Sequence, residues 1–388
     1  MSGPLRGLRV MDVSIMAAGP WTGALLGMLG AEVIKIEPPA GDGTRWVMPT
    51  QRGMGTNFIS MNVNKKDAVL DFKNPADRRL AHELAARSDI FVQNFRVGVV
   101  ERLGLDWPTL QAINPRLIYC SISGFGETGP LSRAGCADPI MQAFSGFACS
   151  NGAPGEEMEA FRFTGFLDLA TSSNAVQAVL AALYDREKTD RGQKVEVSML
   201  QSAVALQFTR YAELLGAGLV PVARGSENPA FAPDRAFAAK DQAVFVTVHR
   251  PREWQALCEV LERADLIGDP RFATNHDRVA NKETLNAILA PIFAARPAVW
   301  WLRALNRRNV ACGIAHNFET FRFHRQIVDN EMIANTRHPD WGETSVAGVP
   351  WTFSTDACRV ASAPTPDGDT AAVITELTAS SSPIAAGR

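Results

Sequence analysis

Asp168 is the residue of this sequence whose surroundings best suit chemistry. It is the lone acid in Thr164-Gly165-Phe166-Leu167-Asp168-Leu169-Ala170-Thr171-Ser172-Ser173-Asn174, an apolar and hydroxyl-rich run that leads directly into a helical segment. Val176, Val179, Leu180 and Leu183 of that segment fall at i, i+3, i+4 and i+7, one face of a helix. Thr171, Ser172 and Ser173 are candidate N-caps, which places Asp168 near the helix N-terminus. The positive end of the helix favours an ionised carboxylate there even when it is partly buried. A poorly solvated carboxylate anion is a nucleophile. The same placement suits an acid that only caps the helix, and the local sequence leaves both roles open.

Other chemistries find less support. Gly124-Phe125-Gly126-Glu127-Thr128-Gly129 matches G-x-G-x-x-G after an apolar strand-like run. A dinucleotide site needs a helix opening within that loop. Here Pro130 follows and residues 131–138 carry no helical pattern, so the glycines read as a tight loop that approaches a ligand closely. There is no G-x-S-x-G elbow and no Walker loop. Cys149 and Cys312 have no adjacent base and read as buried structural thiols. The six cysteines and six histidines are scattered without C-x-x-C or H-x-x-x-H pairs, which gives no metal site and no disulfide framework and fits reduced thiols in the cytosol. Lys35, Arg45, Lys73, Arg96, Arg102 and Arg133 sit near expected strand ends and turns. Each alone is a solvated charge, and together they would make a phosphate-binding rim.

The elements that must hold these residues follow an α/β pattern. Residues 8–13, 31–37, 90–92 and 117–123 read as strands, and 20–30 and 76–87 as helices, which implies a parallel sheet covered by helices. After the Asp168 helix come a strand at 193–197, a helix at 200–215 and a Gly/Pro/Ala-rich stretch at 216–234. A strand at 243–248, helices near 252–262, 282–294 and 298–307, and short strands within 338–359 complete the pattern. Residues 380–388 are mostly small and are expected to fray. A chain of 388 residues exceeds one ordinary core, so two domains or one domain with an insertion are expected. With 39 basic and 41 acidic residues the net charge is −2, no case for nucleic acid or an anionic membrane. The apolar stretch at 15–30 contains Gly19 and Pro20 and is too short to span a bilayer, and nothing before it resembles a signal peptide.

Taken together, these segments resemble the class III coenzyme A transferases, the family of formyl-CoA, carnitine and benzylsuccinate transferases and the 2-methylacyl-CoA racemases. The resemblance rests on Ala18-Gly19-Pro20 with Leu29-Gly30-Ala31-Glu32-Val33-Ile34-Lys35-Ile36-Glu37, on Leu70-Asp71-Phe72-Lys73, Asn94-Phe95-Arg96 and Arg102-Leu103-Gly104, and on Ser123-Gly124-Phe125-Gly126 with Gly129-Pro130 and Phe144-Ser145-Gly146. Its most specific block is Arg186-Glu187-Lys188-Thr189 with Arg191-Gly192-Gln193 and Val197-Ser198-Met199. Asp269-Pro270-Arg271-Phe272 and Pro350-Trp351 match more loosely.

The resemblance makes Asp168, one helix upstream of the Arg-Glu-Lys-Thr block, the nucleophilic aspartate. It implies a Rossmann-like large domain whose parallel sheet is built from both chain ends, a smaller α/β domain, and an interlocked homodimer. The boundaries read as 1–205 for the large domain, 206–235 for a linker, 236–325 for the small domain, and 326–388 for the return to the large domain. Coenzyme A contacts are implied at Met16, Ala17, Ala18, Lys73, Asn94, Phe95, Arg96, Arg102, Arg133 and Met199, with acyl-CoA as a substrate and no permanently bound cofactor. The implied activity is transfer of CoA from an acyl-CoA, with succinyl-CoA a fair donor, to a carboxylic acid through an aspartyl-CoA thioester. Arg45, Arg162, Arg224 and Arg235 are candidates to bind a second carboxylate of a dicarboxylic acid. Racemase members carry a histidine where this chain has Ala137, which disfavours proton shuttling between two faces. Ile15 and Ala17 replace His and Gln found in some members, Val97 replaces a proline, and no glycine-rich lid occurs between Gly225 and Val244. A racemase or isomerase, and a non-catalytic subunit supporting an active paralogue in a hetero-oligomer, are the alternatives.

Overall fold

The computed structural model describes residues 2–156, 158–162, 165–355 and 358–379; Thr164 and the tail 380–388 lie outside them. The chain divides into two compact units, a larger one made of Met1–Ala148, Ala160–Val220 and Arg325–Arg388 and a smaller one made of Cys149–Glu159 and Pro221–His324.

The larger unit is organised by six strands: β1 (Arg9–Asp12), β2 (Glu32–Glu37), β3 (Lys65–Val69), β4 (Ile90–Gln93), β5 (Ile118–Ser123) and β6 (Lys194–Ser198). They are all parallel, in the order β3-β2-β1-β4-β5-β6. Ile90, Phe91 and Val92 are each fully buried, as befits a strand covered on both faces. Period-two alternation then builds two cores. Val10, Val33, Val92 and Ile118 face α1 (Ala18–Met28), and Met11, Ile34, Phe91 and Tyr119 face α2 (Pro75–Ala86). The strand order reverses between β1 and β4, which opens a crevice at their C-terminal ends, the place where open α/β sheets bind ligands.

The sheet carries buried charge beside that crevice. Lys65 Nζ on β3 lies 2.8 Å from Asp12 Oδ2 at the end of β1, with both side chains fully buried. Its other donors reach Pro20 O at 2.7 Å and Asn62 Oδ1 at 2.9 Å, so all three ammonium protons are used. Gly23 of α1 makes room for this pair, since a Cβ there would lie 2.4 Å from Asp12 Oδ2.

The smaller unit holds an antiparallel sheet of β7 (Asp234–Ala238), β8 (Ala243–Thr247) and β9 (Ala311–Ile314) in the order β9-β8-β7. Helices Pro251–Val260, Lys282–Ala294 and Ala298–Asn306 accompany it. Trp254, Phe293 and Trp301 are buried at its centre, and Phe237 stacks on Phe293 with ring centroids 4.5 Å apart.

Four expectations need correction. All six strands of the parallel sheet come from residues 9–198; the C-terminal segment joins the unit as a hairpin (Ile333–His338 with Gly342–Ala347) and a helix, Thr370–Ala379, whose Val373 and Leu377 enter the core. β3 was not expected, because its Lys-Lys-Asp-Ala-Val sequence looks polar while its Lys65 and Asp67 are buried in ion pairs. The single helix expected at 200–215 is two, α5 (Met199–Leu206) and Phe208–Ala217, broken at Gln207, whose side-chain amide donates to Ser145 O and Ala203 O. Lys35 and Arg45, expected as solvated rim charges, are buried: Lys35 pairs with Asp42 at 3.0 Å, and Arg45 pairs bidentately with Glu37 and lies over the Phe58 ring. Arg45 therefore has no free face for a second carboxylate.

Because the Lys65–Asp12 pair is fully desolvated, removing one partner leaves a buried charge. Lys65→Ala is expected to lower the unfolding free energy by about 3–5 kcal/mol in urea titrations.

Candidate active site

Asp168 lies in the first turn of α4 (Phe166–Thr189), so the helix begins before it rather than after. The N-cap position is Gly165, which offers no side-chain cap. Thr171, Ser172 and Ser173, expected as caps, lie inside the helix and donate to the carbonyls four residues back, Leu167 O at 2.6 Å, Asp168 O at 2.8 Å and Leu169 O at 3.0 Å. The apolar face is as anticipated at Val176, Val179 and Leu183, whereas Leu180 is 37% exposed.

The capping role passes to another acid. Asp138, buried at the start of α3 (Asp138–Phe144), accepts from Leu167 N at 2.6 Å and from Asp168 N at 3.3 Å through Oδ2. Its Oδ1 is held by Gln142 Nε2, and Gln142 is itself fixed by Phe161 N at 2.7 Å and Phe161 O at 2.9 Å. The helix is thus capped from outside. The Asp168 carboxylate makes no hydrogen bond or ion pair among the described residues. Its side chain folds over Gly165, where a Cβ would meet Asp168 Oδ2 at 2.8 Å.

The surroundings are apolar. Met141, Leu167, Met199 and Ala203 form a buried cluster with Phe125, Cys136 and Phe166 packed on it. Burial first, and then the charge of Asp138, push the Asp168 carboxyl up to about 7. This overturns the expectation that the helix end keeps it firmly ionised. Loss of water outweighs the favourable end of the helix, and Asp138 already occupies the N–H groups that express it. Burial together with the charge of Asp168 raises the Cys136 thiol to about 11, so that thiol stays protonated. Cys149 is exposed and Cys312 half-buried, against the expectation that both are buried; Cys312 is shielded by contacts to Leu302 O and Asn306.

Met16–Ala18, Lys73, Asn94–Arg96 and Met199 follow the C-terminal ends of β1, β3, β4 and β6, whereas Arg102 lies in the helix Val99–Leu103 and Arg133 in the loop after β5. Ile15 and Asn94 close the crevice between β1 and β4 with two hydrogen bonds, Ile15 N to Asn94 Oδ1 at 2.9 Å and Asn94 Nδ2 to Ile15 O at 2.7 Å. Met16 is exposed and takes the left-handed region with φ 70°, a conformation rare for a non-glycine residue and frequent at ligand sites. Ala17 caps α1 and Ala18 opens it. Ser172 of α4 donates to Ala18 O at 2.7 Å, which ties the Asp168 helix to this turn. Phe72, Phe95 and Leu103 pack on one core cluster, and their neighbours Lys73, Arg96 and Arg102 are all exposed. Arg96 lies against Gly135, where a Cβ would be 3.0 Å from its Nη2, and Arg133 is exposed on the same segment. Met199 is buried beside Cys136, with Sγ and Sδ 4.0 Å apart.

Sequence reasoning missed Asp138. Its only local signal is Asp-Pro at a helix start, thirty residues from the helix it caps. Of the arginines considered for a second carboxylate, Arg162 is exposed, Arg235 pairs with Glu227 at 3.2 Å, and Arg224 is half-buried without an ion-pair partner among the described residues. Arg224 and Arg235 line a cleft of about 850 Å³ within the smaller unit, with Pro221, Glu227, Lys282 and Asn286. No cluster of His, Cys, Asp and Glu suited to a metal ion occurs among the described residues.

Residues 5–370 match the family described as CoA-transferase family III. The acetyl-CoA:oxalate CoA-transferase of Acetobacter aceti is 37% identical over 314 residues, 80% of either chain. The succinyl-CoA:glutarate CoA-transferase of Homo sapiens is 33% identical over 348 residues, 89% of this chain and 79% of that one. Among solved structures, a CAIB/BAIF family protein from Brucella suis superposes with a TM-score of 0.87 at 30% identity, covering 97% of this chain and 100% of that one.

The site's electrostatics give a direct expectation. A carboxyl-carbon NMR titration should place Asp168 near pH 7, and Asp138→Asn should move it downward by removing the neighbouring charge; a midpoint near 4 in the unaltered protein would contradict the geometry.

Proposed function

The chain belongs to CoA-transferase family III and is an enzyme that transfers coenzyme A, and from that premise we propose that it passes CoA from an acyl-CoA to a carboxylic acid through a thioester on Asp168. The observation that carries this reading is the Asp168 carboxylate itself: half-buried, without a hydrogen bond or ion pair among the described residues, and set on a helix start whose N–H groups at Leu167 and Asp168 are satisfied by a different acid. A structural acid would spend its oxygens on those groups. This one keeps them for a reaction.

Direct exchange of CoA between two acids is blocked because a carboxylate is a poor electrophile. In the proposed sequence the Asp168 carboxylate attacks the donor thioester carbonyl, forming a mixed anhydride and releasing CoA thiolate. The thiolate attacks the aspartyl carbonyl, giving aspartyl-CoA and the free donor acid. The acceptor carboxylate then attacks aspartyl-CoA, giving a second mixed anhydride and thiolate again. Attack of the thiolate on the acceptor's acyl carbon completes the new thioester and restores Asp168. Every step conserves an activated acyl bond, so positioning and exclusion of water dominate the protein's task. The apolar cluster around Asp168 supports the second of these. In the glycine loop, Gly126 N already donates to Ser123 Oγ at 3.1 Å and Glu127 N to Glu196 Oε1 at 2.7 Å. Those two N–H groups are therefore engaged and do not serve as oxyanion donors.

The reading assigns CoA to Met16–Ala18, Asn94–Arg96, Lys73, Arg102, Arg133 and Met199, supported by the place of Met16–Ala18, Lys73, Asn94–Arg96 and Met199 after strand ends and by the strained Met16 turn. It assigns a dicarboxylate as the second acid, since oxalate and glutarate, named in the two relatives, are both dicarboxylates. It further assigns a cytosolic homodimer. Six cysteines, none of them in a disulfide, support the compartment, and the exposed apolar side chains of Phe208, Leu215, Leu219 and Val220 support burial by a second subunit. Ala137, with no imidazole beside Asp138, argues against the racemase, and the intact Asp168 site argues against a purely supporting subunit.

Incubation with succinyl-CoA or acetyl-CoA followed by digestion and mass spectrometry should find a hydroxylamine-sensitive CoA adduct on Asp168, and Asp168→Ala should lose about 10⁴-fold or more in kcat. No adduct across a broad donor panel would sink the mechanism.

A further inference from the structure

The G-x-G-x-x-G loop is not a dinucleotide site, yet it contains an acid whose partners lead directly to the crevice. Glu127 lies between Gly126 and Thr128, beyond the end of β5. Lys194 Nζ of β6 donates to its Oε2, and Ser121 of β5 donates to its Oε1 at 2.6 Å. Ser121 Oγ accepts from Gln93 Nε2 of β4 at 2.7 Å. Gln93 Oε1 accepts from Phe95 N at 2.7 Å. Ser121 and Gln93 are buried, with exposures of 1% and 4%.

The chain of bonds has only one sense. An ionised carboxylate accepts and cannot donate. Ser121 must therefore give its single proton to Glu127, which leaves its lone pairs to accept from Gln93. That requirement orients the Gln93 amide with nitrogen toward Ser121 and oxygen toward Phe95. The Phe95 N–H is then fixed, and with it the turn whose preceding residue, Asn94, locks to Ile15 across the β1/β4 crevice. The charge on Glu127 thus sets the orientation of a buried amide on the strand next to the one its own loop follows. Buried chains of this kind are worth more than isolated pairs because each bond polarises the next.

We propose that Glu127, Ser121 and Gln93 form a one-directional hydrogen-bond relay that positions the Asn94–Arg96 turn for coenzyme A, making Glu127 a positioning residue for the coenzyme site. The inference rests on the assignment of CoA to Asn94–Arg96 made above. Neither Glu127 nor Ser121 touches the reacting atoms; both act through Gln93 and the Phe95 amide.

The test compares Ser121→Ala, Ser121→Thr and Glu127→Gln with Asn94→Ala in the intact enzyme, using calorimetric binding of free CoA and steady-state kinetics with succinyl-CoA. Thermal melts and circular dichroism confirm folding of each variant. Ser121→Ala and Glu127→Gln are expected to weaken CoA binding and raise KM for the acyl-CoA roughly 5- to 30-fold, with kcat at saturating donor and KM for the acceptor acid changing less than about twofold. Ser121→Thr keeps the hydroxyl and should restore most of the affinity. If Asn94→Ala weakens CoA binding while folded Ser121→Ala and Glu127→Gln do not, the relay is wrong and the coenzyme assignment stands. If Asn94→Ala also leaves CoA affinity unchanged, the assignment of the turn to CoA fails, and the relay fails with it. Equal losses in Ser121→Ala and Ser121→Thr, or a fall in kcat without a rise in donor KM, would overturn the positioning role. Glu127→Gln sits at the partly exposed end of the relay, so it remains informative even if the buried Ser121 variants do not fold.

Discussion

The hydrogen bonds from Leu167 N and Asp168 N to Asp138 are the interaction on which the site depends. A helix beginning in an apolar environment must find acceptors for its first N–H groups. A local Asp at the third position is a ready acceptor, and Asp168 stands in that position. Asp138 supplies the acceptor from a separate helix instead and is anchored through Gln142 to the backbone of Phe161. One acid satisfies the helix, and the other has no hydrogen bond or ion pair among the described residues. The two charges are also close enough to raise the carboxyl of Asp168 toward neutrality. Capping and tuning are one interaction with two consequences.

Around this pair the larger unit commits buried charge to rigidity. Lys65 with Asp12, Lys35 with Asp42, and Arg45 with Glu37 lie near the C-terminal ends of β1 and β2. Lys35 also donates to Ser14 O at 2.9 Å, and Asp12 accepts from Ser14 N at 3.0 Å. These bonds hold the β1–α1 turn from below, while Asn94 holds it from the side. The Met16 backbone can persist in the left-handed region because its neighbours are over-determined in this way. The exposed cations Lys73, Arg96, Arg102 and Arg133 differ in kind: they are unburied and available to an anionic ligand.

Patterns of apolar residues located the strands β1, β2, β4, β5 and β6 and most helices to within a few positions, since those signals depend on period and composition alone. They failed at β3, whose side chains are charged yet buried. They failed again at the start of α4, where three hydroxyl residues resembled caps but bond back into the helix. Lys35 and Arg45 misled for a related reason. A lysine near a strand end has the same sequence appearance whether it faces water or a buried aspartate.

The sequence by itself determined the alternation of strands and helices, the family, and Asp168 as the acid to consider, because each depends on residue identity and local spacing. The local spacing did not decide whether Asp168 caps its helix. That answer depends on whether another group satisfies the helix, and the group is Asp138, thirty residues away and brought there only by folding. The acidity of Asp168 was misjudged from sequence for the same reason, since desolvation and a neighbouring charge are properties of the packed site. Tertiary structure also tied the glycine loop to the end of β4, through Glu127 of the loop, Ser121 of β5 and Gln93 of β4. Hydrogen-bond direction requires atoms in place, and spacing along a chain carries none.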